Sequence, residues 1–234
     1  MYADSFFYGL HENSIWQEAT SCPLEKGIAL ELREGLVDAN VALYHHRFSI
    51  IPEREFDEKE VVWLMDSAGV SFSNARVKYD RLSGLDAVII YPFDQFHEAF
   101  LNQNIAQYHL QHLVTSLLHS LQSNSIQSII HIHLVGKEMI LLVKKENRLL
   151  FANTFAFSAP ESVLYYITLL RQLYSLENDY HIEVAGASEK VQACGDLLGQ
   201  YYFNVRSVNA TEPVVRSADP QLALALEIVG QCAS

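Results

Sequence analysis

Residues 128–155, SIIHIHLVGKEMILLVKKENRLLFANTF, read as three consecutive strands joined by two tight turns. Ile129 to Leu134 alternates bulky β-formers with histidine, Met139 to Val143 is an unbroken apolar run, and Leu149-Leu150-Phe151 opens a third strand. Gly136-Lys137 and Glu146-Asn147 fall between them, and Gly and Asn tolerate the positive φ that two-residue hairpins require. A middle strand without polar interruption predicts burial on both faces, with helices on both sides of the sheet.

Toward the C-terminus, Ser158 is a candidate N-cap, with Pro160 in the first turn and Glu161 placed to complete a capping box. The helix that follows is predicted to run to about Leu176. A strand over 180–185, a helix over 189–201, a strand over 203–208 and a final helix over 220–229 complete this half. Toward the N-terminus, 6–10 and 15–19 read as short strands, and Pro23 opens a helix over 24–36 with Leu24, Ile28, Leu32 and Leu36 four apart. One or two strands over 39–51 end at Pro52, and 53–65 reads as a helix whose acidic residues favour its N-terminal end. Residues 69–84 read as irregular and polar. A buried strand from Asp86 to Tyr91 is closed by Pro92, and helices are predicted over 93–101 and 105–121. Ser123-Asn124-Ser125 punctuates the chain, which places a boundary between 1–124 and 125–234, with an inserted segment around 52–84 in the first part.

Lys and Arg number 16 against 28 Asp and Glu, a formal charge of -12 with a pI of about 5.2, which opposes a nucleic-acid partner. The three cysteines, Cys22, Cys194 and Cys232, are odd in number and widely spaced, as in a reducing cytosol. No basic region precedes an apolar run near Met1, and no window approaches about 18 uninterrupted apolar residues. A cytoplasmic protein without a membrane span is the expectation.

Both halves follow the order meander, helix, strand, helix, strand, helix, the first less regularly. In that setting FSIIPE (48–53) with Phe56-Asp57-Glu58, LDAVIIY (85–91), and LLFANTF (149–155) with Tyr165-Tyr166 resemble an uncharacterised bacterial family of unknown function. That family is assigned to the actin-like superfamily of ribonuclease-H-like folds. The resemblance implies an α/β protein with two ribonuclease-H-like lobes in an actin-like ATPase arrangement, the first lobe irregular. Its relatives include actin-like proteins of pilus assembly and type II secretion, and the helix from Asp219 to Leu226 is similar to the C-terminal helix of the pilus group.

An actin-like ATPase presents Gly-rich turns to phosphates and holds Mg²⁺ on acidic residues. The hairpin tips here, Gly9 to Asn13 and Val135 to Glu138, carry one glycine each, and His131 and His133 stand where an aspartate is expected. A Gly-Gly adenosine turn is replaced by Ala185-Gly186-Ala187-Ser188. If ATP and Mg²⁺ bind, Gly136, Lys137, Gly186 and Ser188 are the candidates. The nuclease alternative needs clustered carboxylates, and Asp86 and Glu183 read instead as a turn residue and an outward-facing strand residue. His109 and His112 stand three apart on the predicted helix, a spacing able to offer two nitrogens to zinc, but structural histidines are the plainer account. Asn153 and Thr154 line an interlobe cleft on one reading and cap a strand end on the other. Tyr165, Tyr166, Tyr174, Tyr201, Tyr202 and Phe203 read as core and lobe interface, with a partner surface as the alternative. The expectation is a non-catalytic actin-like binding or scaffold protein with a degenerate nucleotide site, without a required cofactor or metal. It has a protein partner and allows a homodimer; the alternative is a nucleotide-binding actin-like ATPase.

Overall fold

The computed structural model describes residues 5–12, 15–23, 39–67, 75–82, 84–122, 128–146, 148–176, 180–186 and 188–208. The chain forms two compact units: of the described residues, 5–12, 19–23 and 39–122 fall in one, and 15–18 and 128–208 in the other. The helices predicted over 24–36 and 220–229 and the punctuation at 123–125 lie outside the described residues.

In chain order, the first part holds β1 (Ser5–Glu12), β2 (Ile15–Pro23), β3 (Ala39–Leu43), β4 (Ser49–Pro52), α1 (Val61–Ser67), β5 (Ala75–Leu82), β6 (Ala87–Asp94), α2 (Gln95–Asn104), β7 (Tyr108–His112) and α3 (Leu113–Gln122). β1 and β2 form a two-stranded sheet, β3 runs parallel to β7, and β4 and β5 flank β6 antiparallel in a three-stranded sheet. β6 is the hub because Ala87 to Phe93 are all buried, and Val88 and Ile90 pack with Met65 of α1.

Four expectations change here. Residues 75–82 are a strand: Val77 and Tyr79 alternate with Lys78 and Asp80, the pattern of a half-buried strand, inside a stretch whose overall polarity hides it. β6 runs on through Pro92, which pairs with Val77, because β4 starts at Ser49, opposite Ile90, and asks no N–H of the proline. The helix predicted over 105–121 begins only at Leu113, since Tyr108 to His112 pair with β3. In a strand, residues three apart face opposite sides, so His109 is exposed and His112 buried, and the shared helical face is lost. The acidic stretch after Pro52 forms single 3-10 turns at Glu53–Glu55 and Glu58–Glu60 before α1 begins.

The β5 carboxylate of Asp80 joins these pieces. It accepts from the Tyr91 hydroxyl at 3.0 Å, from the His112 backbone N–H at 2.6 Å and from the Thr115 hydroxyl at 2.6 Å, tying the three-stranded sheet to the β7–α3 corner. Burial raises its carboxyl above the ordinary value against the pull of those three donors. His112 is used at both ring nitrogens. Nδ1 accepts from the Val114 N–H at 3.2 Å and Nε2 donates to the His45 carbonyl at 3.0 Å, so neither is free for a metal.

The second part holds β8 (Ser128–Val135), β9 (Glu138–Lys145), β10 (Arg148–Ala156), α4 (Pro160–Leu173), β11 (His181–Ala185), α5 (Ser188–Gly199) and β12 (Val205–Val208). The first three are the predicted meander. The sheet order is β10-β9-β8-β11-β12, antiparallel through β8 and parallel from β8 to β12. Ile130, Ile132, Leu134, Met139, Leu141 and Val143 pack on α4 and α5, which share one face of the sheet. Ile129, His131, His133, Ile140, Leu142 and Lys144 point the other way and are also buried. The apolar run of β9 is therefore buried on both faces, although the two described helices lie on one. The predicted capping box of α4 does not form. Ala159 is the N-cap and makes no side-chain cap bond, Ser158 Oγ sits 3.2 Å from Ser162 Oγ, and Pro160 opens the helix by its fixed φ.

Candidate functional site

Parallel strands bring their C-terminal ends together, and in open α/β sheets ligands bind beyond those ends. β8 and β11 are parallel neighbours, with Ile132 opposite Val184 and His133 opposite Ala185. The Gly136-Lys137 turn after β8 and the turn from Gly186 into α5 therefore meet at one end of the sheet, which assembles the predicted Gly136, Lys137, Gly186 and Ser188.

The two glycines are needed for different reasons. Gly136 has φ +57 in a tight turn with nothing within 4 Å of an added Cβ. Gly186 has φ +132, and a Cβ there would lie 2.6 Å from the Leu134 carbonyl oxygen, so the β11–α5 turn crosses β8 where only hydrogen fits. Between the turns stands Lys190, from the first turn of α5. Its Nζ donates to the Gly136 carbonyl and lies 5.6 Å from the Phe157 ring centroid. Phe157 in turn donates its N–H to the Lys137 carbonyl at 2.7 Å, which closes the cluster. Lys137 itself is exposed.

Beneath this end lies a polar line on the face opposite the helices. His131 Nδ1 is 2.9 Å from Glu183 Oε1, and the two side chains are 4% and 13% exposed, so Glu183 turns inward and not outward as the sequence suggests. Burial works to raise the Glu183 carboxyl, and the His131 hydrogen bond with the charges of His131 and Arg206 outweighs it, leaving the carboxyl below its ordinary value. His133 is pushed down to about 3 by burial and by His131 beside it, so its ring is neutral. Its Nδ1 and the Nε2 of His131 are buried without hydrogen-bond partners among the described residues. The two rings lie parallel within 18° with centroids 6.0 Å apart. Such rings do not converge on one point, and among the described residues no group of three or more His, Cys, Asp or Glu side chains is placed to hold a metal.

Asn153 and Thr154 are elsewhere, in β10 at the outer side of the sheet, opposite Leu141 and Ile140. Asn153 Oδ1 accepts the Thr154 N–H at 2.8 Å, the local backbone role of a short polar side chain. Asp86 is a turn residue with φ +48. The aromatic residues divide: Tyr166 stacks on Phe155 at 4.1 Å, while Tyr165, Tyr201 and Phe203 are 62%, 61% and 96% exposed. Lys190, Phe157 and the His131–Glu183 bond were not legible from spacing. The one signal for them is that β11 carries a carboxylate and its helix a lysine, which gain meaning only once β11 is known to lie beside β8.

Among known proteins, the family described as protein of unknown function (DUF3822) matches residues 31–205. Curated proteins give no match. A crystal structure from Bacteroides thetaiotaomicron VPI-5482, of a protein with actin-like ATPase fold and unknown function, aligns with TM-score 0.68 at 19% identity, covering 82% of this chain and 73% of that one. The PilM–PilN type IV pilus biogenesis complex aligns with TM-score 0.61 at 14% identity, over 99% of this chain and 96% of that one. The fold is the actin-like ATPase fold, as the resemblance implied. Among the described residues no helix is long and apolar enough to cross a membrane.

Proposed function

The chain belongs to the DUF3822 family of proteins of unknown function, and we propose that it is a non-catalytic actin-like binding or scaffold protein whose nucleotide position has become structural. The observation that carries this reading is Lys190. A lysine of α5 is fixed across the gap between the two turns by the Gly136 carbonyl and the Phe157 ring, so protein groups hold a cation where a phosphate cradle would present free N–H donors. β8 supports the same reading, since it offers His131 and a neutral His133 in place of the carboxylate that would hold hydrated Mg²⁺. The proposed partner is a protein in the cytoplasm: PilM is solved in complex with PilN, and a chain of formal charge -12 opposes a polyanion.

The second reading, a nucleotide-binding ATPase related to pilus or secretion assembly proteins, is favoured by one observation. Gly136, Lys137, Gly186 and the opening of α5 share one end of the sheet, and Lys137 is exposed there. Titration of a fluorescent ATP analogue with Mg²⁺ separates the two. The scaffold reading predicts no saturable binding by the full chain, whereas the ATPase reading predicts binding that Lys137→Ala abolishes.

A further inference from the structure

We propose that a second copy of this chain docks on the open edge of β10, continuing the five-stranded sheet across a twofold axis at Asn153. The inference is independent of the binding or scaffold reading above. Among the described residues β10 is the outer strand, with 9 residues (Arg148–Ala156) bonded to β9 on one side only. An open edge, regular here from Phe151 to Ala156, is a template for another strand. The Thr154 N–H bonds to Asn153 Oδ1 at 2.8 Å and not to β9. Backbone groups alternate along a strand, so Ala152 and Thr154 present theirs to the open edge. An antiparallel copy centred on Asn153 pairs Ala152 with the second copy's Thr154, and the reverse, and frees Thr154 from its own neighbour. Asn153 then faces its own copy in a closely spaced, non-hydrogen-bonded position, and Phe151 faces the second copy's Phe155.

Two further features share that axis. Phe155 stacks on Tyr166 at 4.1 Å and Phe151 meets Tyr174 at 6.2 Å, so α4 lies over β10 with Leu169 near the level of Asn153. Tyr165, Leu169 and Leu173, each one turn apart, are 62%, 44% and 67% exposed. The twofold sets Leu169 against its copy and Tyr165 against Leu173, an isologous apolar contact. Charge follows the same symmetry. Lys145 and Arg148 are paired at one end of β10 and Glu161 is exposed near the other. An antiparallel copy therefore brings Arg148 of each chain toward Glu161 of the other. In a chain of formal charge -12, where copies repel in most orientations, this complementarity selects the contact.

The test uses the full chain. Asn153→Cys places two thiols on the axis and is expected to give a covalent dimer on mild oxidation, while the parent chain, with its native cysteines, stays uncrosslinked. Adding Leu169→Glu, at an exposed position, is expected to remove the crosslink while leaving the circular dichroism of the folded chain unchanged. Arg148→Glu and Glu161→Arg are each expected to be monomeric in sedimentation velocity, and an equimolar mixture of the two to regain the dimer. A parent chain that sediments as a monomer at every concentration overturns the proposal, including the case in which another protein uses this edge. So does a dimer that Leu169→Glu leaves intact, since it must then use another face.

Discussion

Single residues carry much of the fold's specificity. Gly186→Ala adds a Cβ 2.6 Å from the Leu134 carbonyl at φ +132; it is expected to lower stability by about 2–4 kcal/mol in urea unfolding. Gly136→Ala meets open space at φ +57 and is expected to cost only about 1 kcal/mol. Equal losses would contradict the close approach of the β11–α5 turn to β8. Asp80→Ala leaves three donors without their buried acceptor and is expected to cost about 3–5 kcal/mol.

Titration gives the residue scale a second prediction. His112 and His133 are both held at about 3 by burial, against an ordinary 6.5, so the folded state keeps them neutral while the unfolded state takes up protons. Their contribution is complete above about pH 6.5 and is lost as pH falls toward 3, at up to about 1.4 kcal/mol per pH unit for each. Glu183, held low, adds a loss in the same direction as pH falls below its ordinary value. Asp80, held high, acts oppositely: its contribution is present at acid pH and is lost as pH rises through its folded value. His133→Leu is expected to flatten the decline between pH 6.5 and 5 in urea unfolding, and an unchanged slope would contradict a neutral buried imidazole.

At the scale of elements, local pattern accounts for some pieces and fails for others. β8, β9, β10 and β11 were legible because their apolar runs are bounded by turn residues that admit positive φ, such as Gly136 and Gly186. β5 and β7 were not. Each is rich in polar residues, and each is a strand because a partner is present, β6 for one and β3 for the other. The candidate site divides in the same way. Its glycines can be read locally, but Lys190 against Gly136 and His131 against Glu183 follow from strand order, which the linear pattern does not encode. The start of α4 offers a direct check. Ser158 fits a capping box in sequence, yet Ala159 is the N-cap and Ser158 meets Ser162. Ser158→Ala is expected to change stability by less than about 0.5 kcal/mol, whereas a working cap would cost about 1 kcal/mol.

At the scale of the whole molecule, the chain has an actin-like ATPase fold, and the proposed function is that its nucleotide position, at one end of the five-stranded sheet, has become structural. A protein can keep such a fold and lose its chemistry, because function resides in the site and not in the architecture. On the reading proposed above, the turns that would cradle phosphate are joined by Lys190, and the strand that would supply an acid supplies histidines. Ligand binding to the native state raises its melting temperature by mass action. The most direct test is therefore the melting temperature of the full chain across a titration of ATP with Mg²⁺. The account predicts no saturable shift, and a saturable rise that requires Mg²⁺ would contradict it.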